Sequence, residues 1–256
     1  MITIGIDPEL DLGPFVLSWH GAMIAVGIVL GGLVAGRYAG ARGLQRDEIL
    51  NLVLVIGVAG IVGARAFYLL ENDAAALLRP GDWVGTGGFS FYGAILLGVP
   101  AVALYLRRRG LGIRYLDALA FGFPLGMAVG RLGDVVNGEH FGPPSELPWA
   151  FRHTHPDALT PRPEVAYHSG GFSEVVLSLA ILALVWPLRD RLTSPGNVLW
   201  LVIGLYATGR FAMFFVRSDS ETILAGLNGA QWTSLALIAV SAYGLWRVLG
   251  RYPERR

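Results

Sequence analysis

The chain contains no cysteine. That excludes disulfides, thiolate metal sites and a cysteine nucleophile of its own, and it leaves the redox compartment open. Lysine is also missing, so all 20 basic residues are arginine. Charge of either sign is scarce. Asp, Glu, Lys and Arg make up 15% of the 256 residues, against about 25% in a soluble domain. The deficit is concentrated in long uncharged runs, as the hydrocarbon core of a bilayer demands. A net charge of +1 offers no basic surface for nucleic acid, and none is expected as a partner. The first basic residue, Arg37, follows the first apolar run instead of preceding it. The positive n-region of a signal peptide is therefore not expected.

What is abundant is apolar sequence, with 54% hydrophobic residues. Seven predominantly apolar stretches, at 12–36, 49–70, 84–106, 115–134, 172–188, 192–216 and 222–246, mark or contain spans of the roughly 20 residues that a crossing helix needs, the fourth and fifth only by including charged residues. The expected fold class is all-α, a polytopic membrane helix bundle of about seven transmembrane helices forming a single integral membrane domain over 1–256. Arginines set the orientation. With the N-terminus outside, inner loops hold Arg37, Arg42, Arg46, Arg107, Arg108, Arg109, Arg114, Arg189 and Arg191, and the tail adds Arg247, Arg251, Arg255 and Arg256. An odd number of spans then leaves the C-terminus in the cytoplasm. The longest loop, 135–171, falls on the outer side. It is rich in Pro, His and Gly, and its apolar Trp149, Ala150 and Phe151 suggest packing on the membrane surface. Gly122, Gly126 and Gly130 form a small-residue stripe that predicts close approach of the fourth helix to a neighbour.

Several charges interrupt the apolar spans, where they are costly and usually functional. The segment 130–142 places Arg131, Asp134, Asn137, Glu139 and His140 within ten or so residues at the outer end of the fourth helix. Arg131 and Asp134 share a face if that helix continues. An arginine fork suits a phosphate or a carboxylate, so Arg131 either grips an anionic ligand or ion-pairs with Asp134. Arg210 and Arg217 are seven apart, on one helical face with Phe214 between them. Two such cations call for an anion, or for separate partners such as Glu174 and Asp219. Arg65 is a third intramembrane arginine. Three of them facing the outer half suggest a phospholipid headgroup as common ligand. His20 and Tyr92, at outer helix ends, are either interfacial belt residues or proton acceptors. His153, His155 and Asp157 form a His-x-His-x-Asp run without a second ligand cluster, and no metal is expected.

At these residues the sequence resembles the prolipoprotein diacylglyceryl transferase family over nearly its whole length. Residues 13–21 (GPFVLSWHG), 63–68 (GARAFY), 87–93 (GGFSFYG), 168–174 and 206–217 are similar to family blocks, and 130–142 is the most specific match. The resemblance implies a bacterial inner-membrane, multi-pass enzyme with no cofactor. Its reaction moves diacylglycerol from phosphatidylglycerol to the lipobox cysteine in a preprolipoprotein signal peptide and releases glycerol 1-phosphate. On this reading Arg131, Arg210, His20, Tyr92 and Glu139 are catalytic, and Arg65, Arg131, Asp134, Asn137 and Arg217 bind phosphatidylglycerol. Four positions depart from the family pattern. Asp134 stands where Asn is usual, Tyr92 where His is frequent, His20 where Tyr is frequent, and Phe214 where an acidic residue is usual. The exchange of His and Tyr suggests that His20 and Tyr92 face each other, with His20 the imidazole near the reaction. The competing readings are a non-catalytic phospholipid-binding relative and an anion transporter, for which inverted repeats are absent.

Overall fold

A computed structural model describes residues 1–11, 13, 16–83, 88–217 and 221–251. Seven α-helices dominate them: α1 (Trp19–Gly40), α2 (Arg46–Asn72), α3 (Phe91–Arg109), α4 (Arg114–Asn137), α5 (Gly170–Leu188), α6 (Asn197–Met213) and α7 (Gly229–Arg251). Six are long and apolar enough to cross a membrane, and α6, with 17 residues, is a shorter apolar helix. The protein is thus a mostly helical, polytopic membrane protein. The chain divides into two compact units, Met1–Tyr38 with Leu116–Arg256, and Ala39–Tyr115.

Local chemistry sets the helix ends. In the first unit, the Ser18 hydroxyl accepts from Gly21 N at 3.1 Å, and α1 begins at Trp19, inside the first apolar run. Residues 16–18 instead form a strand, β3 (Val16–Ser18), antiparallel to β2 (Glu9–Asp11). Helix α7 likewise begins later than the apolar run at 222 suggests. Residues 222–228 make a hairpin of β7 (Thr222–Leu224) and β8 (Leu227–Asn228), turned by Ala225 and Gly226, both at positive φ. The helix then starts on a reciprocal cap. Asn228 N donates to Gln231 Oε1 at 3.0 Å and Gln231 N donates to Asn228 Oδ1 at 2.9 Å. Buried Asp117 of α4 caps α6, accepting from Gly196 N at 2.7 Å and Leu199 N at 2.9 Å.

The segment between α4 and α5, expected as a loop over 135–171, is built differently. Its first residues extend α4 to Asn137, and three strands follow: β4 (Phe141–Pro144), β5 (Phe151–His153) and β6 (Tyr167–Ser169). With β1 (Ile2–Ile4) they form a sheet in the order β1-β5-β6-β4, parallel between β1 and β5. Ala150 and Phe151 are buried and Phe151 packs on Phe172 of α5, so only Trp149 of the apolar trio is exposed. Backbone pairing with the N-terminal strand holds this segment in place. The sheet is tied to the end of α4, where His153 Nε2 donates to the Val135 carbonyl at 2.8 Å. Burial pushes the His153 imidazole below its ordinary range.

In the second unit, α2 and α3 meet at a glycine pair. A Cβ on Gly63 would lie 2.4 Å from the Gly93 carbonyl oxygen, and one on Gly93 would lie 2.3 Å from that of Gly63. Gly110, at φ +65°, ends α3 after Arg107, Arg108 and Arg109, cations suited to a helix C-terminus.

A candidate phospholipid-binding and transfer site

The glycine stripe of α4 packs on α1. A Cβ on Gly27 would lie 2.3 Å from the Gly126 oxygen, and one on Gly122 would lie 2.1 Å from the Gly31 oxygen. The contact runs on to Gly133, where a Cβ would lie 2.7 Å from the Cα of His20. This close crossing brings His20 onto Asp134, and His20 Nδ1 donates to Asp134 Oδ1 at 2.5 Å. Asp134 is fully buried, and its other oxygen accepts from Arg131 Nη1 at 2.5 Å. Because α4 does continue to Asn137, Arg131 and Asp134 share its face as the spacing predicts.

Arg131 is also held from the other side. Its Nε lies 2.5 Å from Glu174 Oε2, while Arg210 Nη1 donates to Glu174 Oε1 at 3.0 Å. Glu174 is buried just past the first turn of α5, a helix started by the Ser169 hydroxyl accepting from Phe172 N at 3.1 Å. The Tyr206 hydroxyl donates to Glu174 Oε2 at 3.4 Å and accepts from Arg210 at 3.3 Å. Glu174 thus joins two arginines from α4 and α6 that no sequence neighbourhood connects.

Beyond Arg210 the backbone tightens. Phe215 N and Val216 N donate to Ala212 O and Met213 O, three residues back, and α6 ends at Met213. Arg217 is therefore not on the same helix as Arg210. Phe214 still lies between them, its ring centre 5.0 Å from the Arg210 guanidinium carbon and 4.4 Å from that of Arg217. Arg217 Nη2 donates to His140 Nδ1 at 2.8 Å, and His140 Nε2 lies 3.6 Å from Asp134 Oδ2. The side chains close a circuit: Asp134, Arg131, Glu174, Arg210, Phe214, Arg217, His140 and back to Asp134. Gly138 and His140, both at positive φ, turn the chain after α4 so that His140 enters it.

Asn137 and Glu139 stand beside this circuit. Asn137 Nδ2 donates to Glu139 Oε1 at 3.0 Å, and Glu139 Oε2 lies 3.4 Å from His20 Nδ1. Of the sequence candidates, His20, Arg131, Asp134, Asn137, Glu139, Arg210 and Arg217 are brought together in the first unit. Arg65 and Tyr92 belong to the second. There Arg65 is buried and donates to the Asp82 carbonyl at 2.6 Å and the Gly88 carbonyl at 2.9 Å. Tyr92 is 48% exposed in the first turn of α3, packed edge-on to Phe91. Asp219, named above as a partner for Arg217, lies outside the described residues. The sequence names Glu174 only as a partner for the Arg210 and Arg217 pair, and it does hold Arg210. His140 enters there only as a member of the 130–142 segment, and Tyr206 only as the first residue of the 206–217 block.

Among the described residues, two trios have ligand-type atoms within 4.8 Å of one another, Asp7/His155/Asp157 and His20/Asp134/Glu139. In the second, the Asp134 oxygens are already engaged by His20 and Arg131, an arrangement for holding a proton and a guanidinium. His153 is buried with its Nε2 on the Val135 carbonyl at the end of α4 and is not a member of the first trio.

The family described as prolipoprotein diacylglyceryl transferase matches residues 9–247. This chain belongs to the prolipoprotein diacylglyceryl transferase family. A phosphatidylglycerol–prolipoprotein diacylglyceryl transferase of Thermosynechococcus vestitus is 33% identical over 245 residues, covering 93% of this chain and 91% of that protein. The enzyme of the same name from Gloeobacter violaceus is 33% identical over 248 residues, covering 93% and 90%. That from Rhizobium leguminosarum bv. trifolii is 30% identical, covering 95% and 91%. The match to the family spans both compact units, so Arg65 and Tyr92 lie inside it as well as the circuit.

Proposed function

We propose that this chain transfers the diacylglyceryl group of phosphatidylglycerol to the lipobox cysteine thiol of a preprolipoprotein signal peptide, releasing glycerol 1-phosphate. The observation that carries the reading is the pair of arginines, Arg131 and Arg210, gathered on one buried carboxylate beside the His20–Asp134 pair. In the reaction the substrate sulfur forms a bond to the diacylglyceryl carbon, and that carbon's bond to the phosphate oxygen breaks. The phosphate passes from diester to monoester and gains negative charge. Guanidiniums already oriented by Glu174 stabilise that charge as it grows, and Arg217 adds a third cation of the same unit. Asp134 fixes the proton of His20 on Nδ1, which leaves Nε2 to accept the thiol proton. Glu139, held by Asn137, stands 3.4 Å from the same Nδ1. The cysteine needed for the chemistry comes from the partner, in keeping with its absence here.

On this reading the N-terminus lies outside and the C-terminus in the cytoplasm of a bacterial inner membrane. The arginine-rich inner loops and tail support that orientation. The test uses purified protein with labelled phosphatidylglycerol and a lipobox peptide. Lipidated peptide and glycerol 1-phosphate should appear in equal amounts, and neither should form with a Cys→Ser peptide. Folded protein that binds phosphatidylglycerol without releasing glycerol 1-phosphate would instead be a non-catalytic lipid-binding relative.

A further inference from the structure

The circuit described above has one link that is neither charged nor hydrogen-bonded. Phe214 is 7% exposed, and its ring lies within 5.0 Å of the Arg210 guanidinium and 4.4 Å of the Arg217 guanidinium. Those arginines stand on different backbone structures, a helix and the tight turn after it, so no helical repeat sets their spacing. Each is held at its far side by another group, Arg210 by Glu174 and Arg217 by His140. The ring is the element shared between them. An aromatic face attracts a guanidinium through its quadrupole and carries no net charge. It therefore draws two cations together without neutralising either, which a carboxylate in its place would do.

We propose that Phe214 is a positioning residue that sets the spacing of Arg210 and Arg217 so that both address one phosphate group. This rests on the phospholipid reading above. Its ligand chemistry is a phosphate ester, which the lipid headgroup supplies as a diester and the released glycerol phosphate as a monoester.

The test measures binding of phosphatidylglycerol in detergent micelles, without peptide, so that it does not depend on turnover. Phe214→Leu keeps an apolar side chain and removes the ring. Its affinity should fall on the order of tenfold, from the loss of two partly desolvated cation–π contacts. Phe214→Tyr keeps the ring and should bind within about twofold of the unaltered protein, since the aromatic face is retained. If the leucine variant does not purify folded, Phe214→Met takes its place with the same expected loss. Inhibition of lipid binding by glycerol 1-phosphate, measured on the same variants, separates the two phosphate sources, and it should weaken in step with lipid affinity. Unchanged affinity in the leucine or methionine variant would overturn the proposal. Equal losses in the tyrosine and leucine variants would do so as well. Failure of the proposed transferase reading shows elsewhere, as an unaltered protein that binds lipid but releases no product.

Discussion

Arg131 lies in the last turns of α4 with a carboxylate on either side, Asp134 and Glu174. A lone arginine inside a membrane span is expensive, and pairing is how it is retained. The sequence spacing left open whether Arg131 grips an anion or pairs with Asp134. The structure has the pair, and the second carboxylate explains why the pair does not exhaust the site. Glu174 serves two guanidiniums, so removing its charge should disturb both. Glu174→Gln keeps the shape and loses the charge. Transfer should fall about a hundredfold, the scale of losing one preorganised electrostatic contact, and steady-state kinetics on folded protein would check it. An unchanged rate would mean that Arg131 and Arg210 are oriented by something other than Glu174. Most of these residues were legible in the sequence, because charges in apolar runs stand out. Asp134 and Glu174 were legible as partners for Arg131 and Arg210, but the second hold of Glu174 on Arg131 was not, since it bridges 43 positions. The departures from the family pattern become intelligible at the same scale. His20 and Asp134 replace a usual Tyr and Asn, and these two replacements touch each other at 2.5 Å. An imidazole Nδ1–H is better served by a carboxylate than by an amide, so the two changes belong together.

At the scale of elements, glycine does the positioning. The α1–α4 crossing carries His20 to Asp134 because nothing larger than hydrogen stands at Gly27, Gly31, Gly122 and Gly126. Gly27→Ala would place a methyl 2.3 Å from the Gly126 oxygen. The helices must then part, at a cost of about 1–3 kcal/mol, and the His20–Asp134 contact parts with them. A lower melting temperature together with reduced transfer is expected. Gly36→Ala, with nothing within 4 Å of the new methyl, should change neither. Equal behaviour of the two variants would refute the role given to the crossing. The sheet makes a different prediction. Burial holds the His153 imidazole below its ordinary range, so at mildly acid pH the unfolded chain takes a proton that the folded one refuses. The stability that His153 contributes is complete above about pH 6.5 and declines as pH falls from there toward the folded-state value. Thermal melts between pH 8 and 5 should show that decline shrinking in His153→Gln. The glycine stripe could be read from spacing alone. The strands of 141–169 could not, because they are only three or four residues each and gain their partner, Ile2–Ile4, from the far end of the chain.

At the scale of the whole molecule, composition already pointed to a polytopic membrane protein, since only a bilayer tolerates so little charge in runs this long. Seven α-helices stand among the described residues, six of them long and apolar enough to span a membrane, and hairpins take up residues at the edges of two of the apolar runs. Orientation is a proposal that the absence of cysteine makes easy to test. Leu159→Cys should react with a membrane-impermeant maleimide added outside intact cells, and Arg108→Cys only after the membrane is opened. The reverse pattern would invert the proposed topology and place the His20–Arg131 site on the wrong side for a secreted acceptor. The most direct test of the account as a whole is the rate of diacylglyceryl transfer by Arg131→Ala, measured beside the unaltered protein on material shown to be folded. The account predicts a fall of about 10²–10³-fold or more, with Arg131→Lys recovering little of it because a single ammonium cannot reproduce the fork. A near-normal rate in Arg131→Ala would contradict the phosphate clamp on which the proposed mechanism stands.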